Sequence, residues 1–256
     1  MAFAAELPLL ATAFLILFAR IGAVLMLLPV FSEEAVPGQV RLLLAVGMTA
    51  ALFGLLRRAV TPLAAQADVA LLGTVLAELL TGLAFGMLVR IFFQAAAMAG
   101  SLVSLQIGLT TALVWDPSVN GQAPVLAKWF AVAAALLCFA FNVHHLWISA
   151  IVGSYQLFPA GSVPNAADWA SLASATAGKA TLLAVSLAAP FMIYGMVFSV
   201  AVGFASRLAP QIQIFFIVQP LNLLLGLSLL AVTAGAMLSL FADRFAEWLS
   251  GGWVHV

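Results

Sequence analysis

Residues 7–30 read LPLLATAFLILFARIGAVLMLLPV, and Arg20 is the one charged residue among them. A helix of about 20 consecutive apolar residues is long enough to cross the hydrocarbon core of a bilayer. Lipid offers the backbone no hydrogen-bond partners, so an apolar segment surrounded by lipid must be helical. Windows of this kind recur along the chain and give seven candidate segments: 7–30, 40–56, 69–89, 91–114, 125–151, 180–204 and 212–240. The sequence therefore predicts an all-α integral membrane protein with six or seven apolar helical segments.

The composition of the whole chain excludes a soluble globular protein. Of its 256 residues, 65% are apolar and 7% are charged, whereas soluble domains have roughly 45–50% apolar and about 25% charged residues. Lys plus Arg and Asp plus Glu are equal at nine each, so no basic surface favours nucleic acid as a partner. Arg20 is the first basic residue, and no small-residue cleavage site follows a short apolar stretch, so we expect no removable signal peptide.

Proline and glycine mark the breaks between the candidate segments, because both residues interrupt helices. The breaks are 31–38 (FSEEAVPG), 57–68 (RRAVTPLAAQAD), 115–124 (WDPSVNGQAP), 153–178 and 207–211 (RLAPQ). Only 153–178 is long and polar enough to predict a sizeable excursion outside the membrane. At 115–124 we expect either non-helical backbone covered by protein or an ordinary turn at the membrane surface.

The basic residues give no membrane orientation. Seven alternating spans would place Arg57, Arg58, Lys128 and Arg207 on one side and Arg41, Arg90, Lys179 and Arg244 on the other. The positive-inside rule needs an excess on one side, and here the two sides are equal. Helical hairpins that enter the membrane and turn back fit this pattern at least as well as serial spans.

Charged residues within the apolar segments are candidates for contacts with other helices or other subunits. A charge there costs from about 2.5 kcal/mol upward, and Glu78 and Arg90 would lie about 18 Å apart along one helix, too far for direct contact. For Arg20 and Glu78 we expect a paired or pore-facing role, whereas Arg90 and Lys128 could instead reach a membrane interface. The full group is Arg20, Glu78, Arg90, Lys128, Lys179 and Arg207.

Small residues at spacings of four predict close packing between helices, because they let backbones approach each other. Gly82 and Gly86 form one GxxxG pair. A second series follows in the next segment: Ala96, Gly100, Ser104 and Gly108.

No motif predicts catalysis. The P-loop, HExxH, GxSxG and CxxC patterns are all absent from the sequence. Cys138 is the only cysteine and lies in an apolar run, so we interpret it as a small buried hydrophobe. His144 and His145 are adjacent and would point about 100° apart on a helix. We therefore expect no catalytic residue, no metal and no cofactor.

Five runs, taken in order, closely resemble the FliR family of bacterial flagellar export-gate subunits, whose counterpart in virulence injectisomes is the T subunit. The resemblance extends from about residue 15 to 245. The runs are LPVFSEEAVPGQVRLLLA (28–45), ELLTGLAFG with GSLVSLQIG (78–108), Asp116-Pro117, FNVHHLWISAIVGSYQLFP (141–159) and APQIQIFFIVQPLNLLL (209–225).

The resemblance implies a subunit of a type III secretion system in the inner membrane, within the flagellar basal body. Residues 1–256 would form one membrane-embedded domain, with a P-like helical part to about residue 178 and a Q-like helical hairpin from about 179. The implied partners are FliP-type and FliQ-type gate subunits, FlhB-type and FlhA-type export components, membrane lipid and unfolded substrates in transit. The implied role is to build the closed conduit and to help nucleate flagellar assembly.

The resemblance also implies a plug that closes the conduit. It corresponds to Leu109, Thr110, Thr111, Ala112, Leu113, Val114, Trp115, Asp116 and Pro117. Relatives often have Phe where this chain has Thr111 and Val114. We expect Leu113, Val114 and Trp115 to close the channel, because a hydrophobic constriction excludes water and ions.

Three alternatives stay open. The chain could belong to an injectisome, which shares these motifs. It could be a small secondary transporter that uses Arg20, Glu78 and Arg90 as a relay. It could be an intramembrane enzyme, for which the only candidate catalytic cluster is His144, His145 and Asp116.

Overall fold

The computed structural model describes residues 2–29, 31, 36–110, 113–116, 121–163, 165–208 and 214–252. Within them the chain is almost entirely helical, so the all-α prediction is confirmed. The helices are α1 (Ala2–Leu27), α2 (Gly38–Ala64), α3 (Asp68–Ile107), α4 (Val125–Ala140), α5 (Val143–Leu157), α6 (Ala166–Leu208) and α7 (Ile214–Glu247), with a π-helical turn at Trp248–Gly252. Strands β1 (Leu113–Asp116) and β2 (Gly121–Pro124) form a short antiparallel hairpin between α3 and α4.

Five stretches in the described residues are each long and apolar enough to cross a membrane. They are Glu6–Leu27, Gly38–Ala64, Asp68–Ile107, Ala166–Leu208 and Phe216–Gly251. The chain bends by 82° between α4 and α5. If these two helices together form one broken span, they make a sixth candidate span. Asn142 sits at the bend with φ of +58°, a left-handed conformation in which Asn is enriched.

Several boundaries predicted from the sequence are wrong. The segments separated at Arg90 are one helix, the 40-residue α3, because Arg is a good helix former and no proline interrupts the run. The single segment predicted over 125–151 is two helices, α4 and α5. The excursion predicted over 153–178 shrinks to the turn between Leu157 and Ala166, because the polar stretch after Ala166 is rich in alanine, the strongest helix former.

The break predicted over 57–68 is also mostly helical. Helix α2 continues to Ala64 and contains Pro62. Breaks at 31–38 and 207–211 fall largely outside the described residues, although α2 begins directly after Pro37 and α6 ends at Leu208.

By their internal contacts the residues form two compact units. The first comprises Met1–Ile91, His144–Thr176 and Leu249–Val256, and the second comprises Phe92–Val143 and Ala177–Trp248. The division predicted near residue 178 stays a prediction. Helix α6 is continuous across that position.

The first unit is centred on α1. Helices α1 and α2 pack against each other, and α1 buries Ile16, Leu17 and Ile21 completely. Helix α3 approaches α1 most closely at Gly82 and Gly86. A Cβ atom at Gly82 would lie 2.8 Å from the Cβ of Ala23, and one at Gly86 would lie 2.8 Å from the Cβ of Leu27.

The second unit has an aromatic core. Phe92 and Phe93 on α3 face Phe241 and Phe245 on α7, with ring centroids 5.4 Å apart for Phe93 and Phe241. Trp248 stacks on Phe92 at 4.8 Å between centroids. Aromatic pairs at such separations contribute about 0.5–1.5 kcal/mol beyond the area they bury.

We expect Gly82→Ala to lower the midpoint of thermal unfolding of the protein in mild detergent. The new methyl group would meet the backbone of Arg20, which is part of a helix and cannot yield like a flexible side chain. Overpacking of this kind costs about 1–3 kcal/mol. The matched control is Gly73→Ala on the same helix, where nothing lies within 4 Å, and it should unfold at or above the parent midpoint. Equal midpoints for the two variants would contradict the close approach of α1 and α3.

Candidate functional site

An ion pair between Arg20 and Glu78 lies at the centre of the first unit. The Arg20 Nη2 atom donates to Glu78 Oε1 over 2.8 Å, and Nε lies 2.8 Å from Oε2. The Nε–H bond is not aligned well enough to count as a hydrogen bond, so this second contact is an ion pair only. The side chains are 1% and 0% exposed.

The pair also holds the end of α5 and the turn that follows. Arg20 Nη1 donates to the carbonyl oxygens of Phe158 at 2.9 Å and Ser154 at 3.4 Å, and its guanidinium lies 4.0 Å from the centre of the Tyr155 ring. Glu78 Oε1 accepts the backbone N–H of Gly161 at 2.8 Å. Gly161 has φ of +77°, a conformation that glycine adopts without steric cost.

The other charged candidates lie in more open surroundings. Arg90 and Lys128 are half-buried, and Lys179 and Arg207 are exposed within this chain. For Arg20 and Glu78 the sequence left the partner open between other helices and other subunits. The structure brings these two residues together within one chain.

The start of the candidate plug is fixed by the end of α3. Gly108 has φ of +82°, and Leu109 N–H donates to the carbonyl of Ser104 at 2.9 Å, which is the hydrogen bond of a Schellman cap. Leu109 is half-buried and Thr110 is exposed. Thr111, Ala112 and Pro117 lie outside the described residues.

The remaining plug candidates form β1. Leu113 pairs with Pro124, Val114 with Ala123, Trp115 with Gln122 and Asp116 with Gly121. The sequence analysis predicts a non-helical segment or a turn here and misses the pairing of the two strands. The signal was present, since Pro117 and the Asn120-Gly121 dipeptide are turn residues that follow the β-prone residues Val114 and Trp115.

A set of neutral polar side chains in the second unit was also missed. Tyr194 on α6 and Asn222 on α7 are hydrogen-bonded to each other, with 2.7 Å between the Tyr194 hydroxyl and Asn222 Oδ1. Asn222 Nδ2 donates to the carbonyl of Gln106 at 3.2 Å. The sequence does contain an indication of these contacts. Amide side chains are rare in apolar helices, and each one there needs a hydrogen-bond partner.

The second series of small residues also shows a close approach. A Cβ atom at Gly100 would lie 2.7 Å from the Cα of Ala127, at the start of α4. Ser104 is fully buried. Gly108 closes the series at the end of α3.

The two adjacent histidines have their ring centroids 4.3 Å apart. Among the residues that the structure describes, no group of three histidine, cysteine or carboxylate side chains is arranged to hold a metal ion.

Comparison with known proteins identifies relatives over nearly the whole chain. The family model for bacterial export proteins, family 1, matches residues 11–248. The chain is 36% identical over 234 residues to the flagellar biosynthetic protein FliR of Caulobacter vibrioides, covering 91% of this chain and 93% of that protein. It is 34% identical over 234 residues to the protein of the same name from Escherichia coli, covering 89% and 86%. The one from Bacillus subtilis is 25% identical over 237 residues, covering 91% and 90%.

We expect Arg20→Met and Glu78→Leu each to destabilise the protein by about 3–5 kcal/mol, because each leaves a buried charge without its partner. The double variant should recover part of the loss, since it removes both charges. Thermal unfolding in mild detergent measures the coupling between the two positions.

The control for this cycle is the pair Arg244 and Glu247 on α7, whose side chains are 58% and 65% exposed. Because water screens exposed pairs, Arg244→Ala should change stability by less than about 1 kcal/mol. Additive losses in the double variant at positions 20 and 78 would contradict the interpretation of Arg20 and Glu78 as one unit.

Proposed function

The chain belongs to the bacterial export proteins of family 1, and from this premise we propose that it is a core subunit of the flagellar protein export gate. With FliP-type and FliQ-type subunits it builds a closed conduit for unfolded substrates in the bacterial inner membrane. It also helps nucleate flagellar assembly. The observation that carries the proposal is the family match over residues 11–248 together with relatives named for flagellar biosynthesis. The resemblance of the sequence to the FliR family is thereby confirmed.

The exposed helix faces support a role inside a larger assembly. Within the chain, only 17% of the most apolar stretch of α2 is buried. The buried share of the corresponding stretch is 22% in α6 and 22% in α7. Large apolar side chains such as Leu43, Val197 and Val232 are 70%, 65% and 83% exposed. Surfaces of this kind must be covered by lipid or by other subunits.

We assign closure of the conduit to the segment from Leu109 to Pro117. The two strands pair the backbone groups that face each other, so this segment leaves fewer backbone groups in need of a partner than an unpaired loop of the same length. Leu113, Val114 and Trp115 supply apolar side chains, and a constriction made of them excludes ions by excluding water.

The gate subunit supplies the path and its closure, and other export components, of the FlhA and FlhB types, act beside it. Motive force comes from elsewhere in the apparatus. The chain therefore has no catalytic task in this proposal.

The ion pair argues against the secondary transporter. A proton or substrate relay needs ionisable groups that meet water or a cargo. Arg20 and Glu78 are instead 1% and 0% exposed, form an ion pair with each other and are hydrogen-bonded to backbone groups.

Co-expression tests the proposal directly. The chain is produced alone and together with the P-type and Q-type subunits of the same genome, extracted in mild detergent and weighed by native mass spectrometry. A single large complex that contains all three subunits is expected. A stable, monodisperse particle of this chain alone, which does not bind the P-type and Q-type subunits when they are co-expressed, would overturn the proposal.

Deletion of residues 110–115 should make the assembled complex leak ions, with a rise in membrane conductance of about tenfold or more, because the apolar constriction is lost. The control is Gln122→Ala in the same hairpin, whose side chain is exposed, and it should conduct like the parent complex. Conductance is recorded across bilayers that contain the purified complex. Parent-like conductance in the deletion variant would remove the plug assignment.

A further inference from the structure

The carbonyl end of α3 is held by side chains of α6 and α7. The Tyr194 hydroxyl donates to Asn222 Oδ1 at 2.7 Å and lies 3.1 Å from the Asn222 carbonyl oxygen. Asn222 Nδ2 donates to the Gln106 carbonyl at 3.2 Å, and Gln219 Nε2 lies 3.5 Å from the Gly108 carbonyl. The last carbonyls of a helix have no partner within it. Here the two amide side chains supply partners, and we call Tyr194, Gln219 and Asn222 the polar clamp.

Glycines bring the clamp helices against α3. A Cβ atom at Gly195 on α6 would meet the side chain of Gln106, and one at Gly226 on α7 would meet the side chain of Ile107. At Gly108 a Cβ atom would lie 2.7 Å from Gln219 Nε2. The last turn of α3 therefore has little freedom to move unless α6 and α7 move with it.

The other end of the hairpin is anchored as well. Strand β2 ends at Pro124 and runs directly into α4, whose first turn lies against Gly100 on α3. The hairpin thus follows the end of α3 that the clamp holds, and it leads into α4, whose first turn packs on α3. Gly108, whose carbonyl lies beside Gln219 of the clamp, precedes the first residue of β1, Leu113, by five residues.

We propose that Tyr194 and Asn222 are positioning residues that hold the β1–β2 hairpin in the closed position of the plug. This inference rests on the proposed function, because it assigns closure to the hairpin. These hydrogen bonds are part-buried within the chain, and where lipid or other subunits cover the helices no water replaces them, so loss of the clamp should free the end of α3 without removing any apolar contact. The hairpin should then spend more time open.

The variants remove the clamp in two steps. Tyr194→Phe deletes one oxygen atom and leaves the ring, so the complex should still assemble. Asn222→Leu keeps the volume and removes the bonds to both Tyr194 and Gln106. The matched control is Ser228→Ala on α7, whose hydroxyl bonds only to the carbonyl of Leu224 in its own helix.

The reporter is a single cysteine in the hairpin. Cys138 is the only native cysteine and is buried, so Cys138→Ala combined with Ala123→Cys gives one thiol, at a half-buried position of β2 that pairs with Val114 of β1. In the complex with the P-type and Q-type subunits, we measure labelling of this thiol by a membrane-impermeant maleimide. The same complexes, without the reporter, are used for conductance and for native mass spectrometry.

We expect Asn222→Leu to raise the labelling rate about fivefold, as for a local opening event, and to raise conductance in complexes of unchanged mass. Tyr194→Phe should give a smaller rise in both. Because the two residues form one network, the double variant should match Asn222→Leu alone. Ser228→Ala should match the parent in every measurement.

Two other results distinguish the inference from the proposed function. If the deletion of 110–115 leaks but Tyr194→Phe and Asn222→Leu stay closed, the positioning role is overturned and the plug stands. If the deletion itself stays closed, the proposed plug function fails, and the positioning role fails with it.

Discussion

The requirement that a charge inside an apolar helix be paired shapes the whole first unit. Arg20 and Glu78 satisfy it with each other; in addition Arg20 Nη1 binds the carbonyl of Phe158 after α5, and Glu78 Oε1 accepts the N–H of Gly161. Glu78, Gly82 and Gly86 recur every four residues and so share one face of α3. The same face carries the carboxylate that Arg20 needs and the two glycines that let α1 come close enough to reach it. The ion pair thus fixes which turn of α1 meets which turn of α3.

The contacts described in the second unit are made by neutral groups. Its close contacts are made at glycines, and its polar contacts join amide or phenol side chains to carbonyls at the end of α3. A cluster of five aromatic residues fills the space between α3 and the end of α7. Because glycine contacts and directed hydrogen bonds tolerate little displacement, the hairpin that follows α3 starts from a well-defined position.

These two units are consistent with a subunit whose stability is completed by its surroundings. The deepest charges are paired with each other, whereas α2, α6 and α7 present apolar side chains outward. A protein with such faces is suited to lipid and to neighbouring subunits. In the proposed gate, the outward faces serve assembly and the hairpin serves closure, so the two tasks fall on different parts of the chain.

The sequence by itself determined the fold class, the membrane setting and the family, because hydropathy, helix propensity and ordered motifs are properties of short segments. It also identified Arg20 and Glu78 as residues that need partners and Gly82, Gly86 and Gly100 as places of close approach. The boundaries predicted at Arg90 and over 153–178 were wrong. A charged residue in one case and a polar stretch in the other were interpreted as the end of a helix, although the residues there have high helix propensity. Only the tertiary structure decided that Arg20 pairs with Glu78, 58 residues away, that 113–116 pairs with 121–124 as antiparallel strands, and that Tyr194 and Asn222 hold the end of α3. Those choices depend on which helix faces dock, and no local pattern encodes the distance between two docked helices.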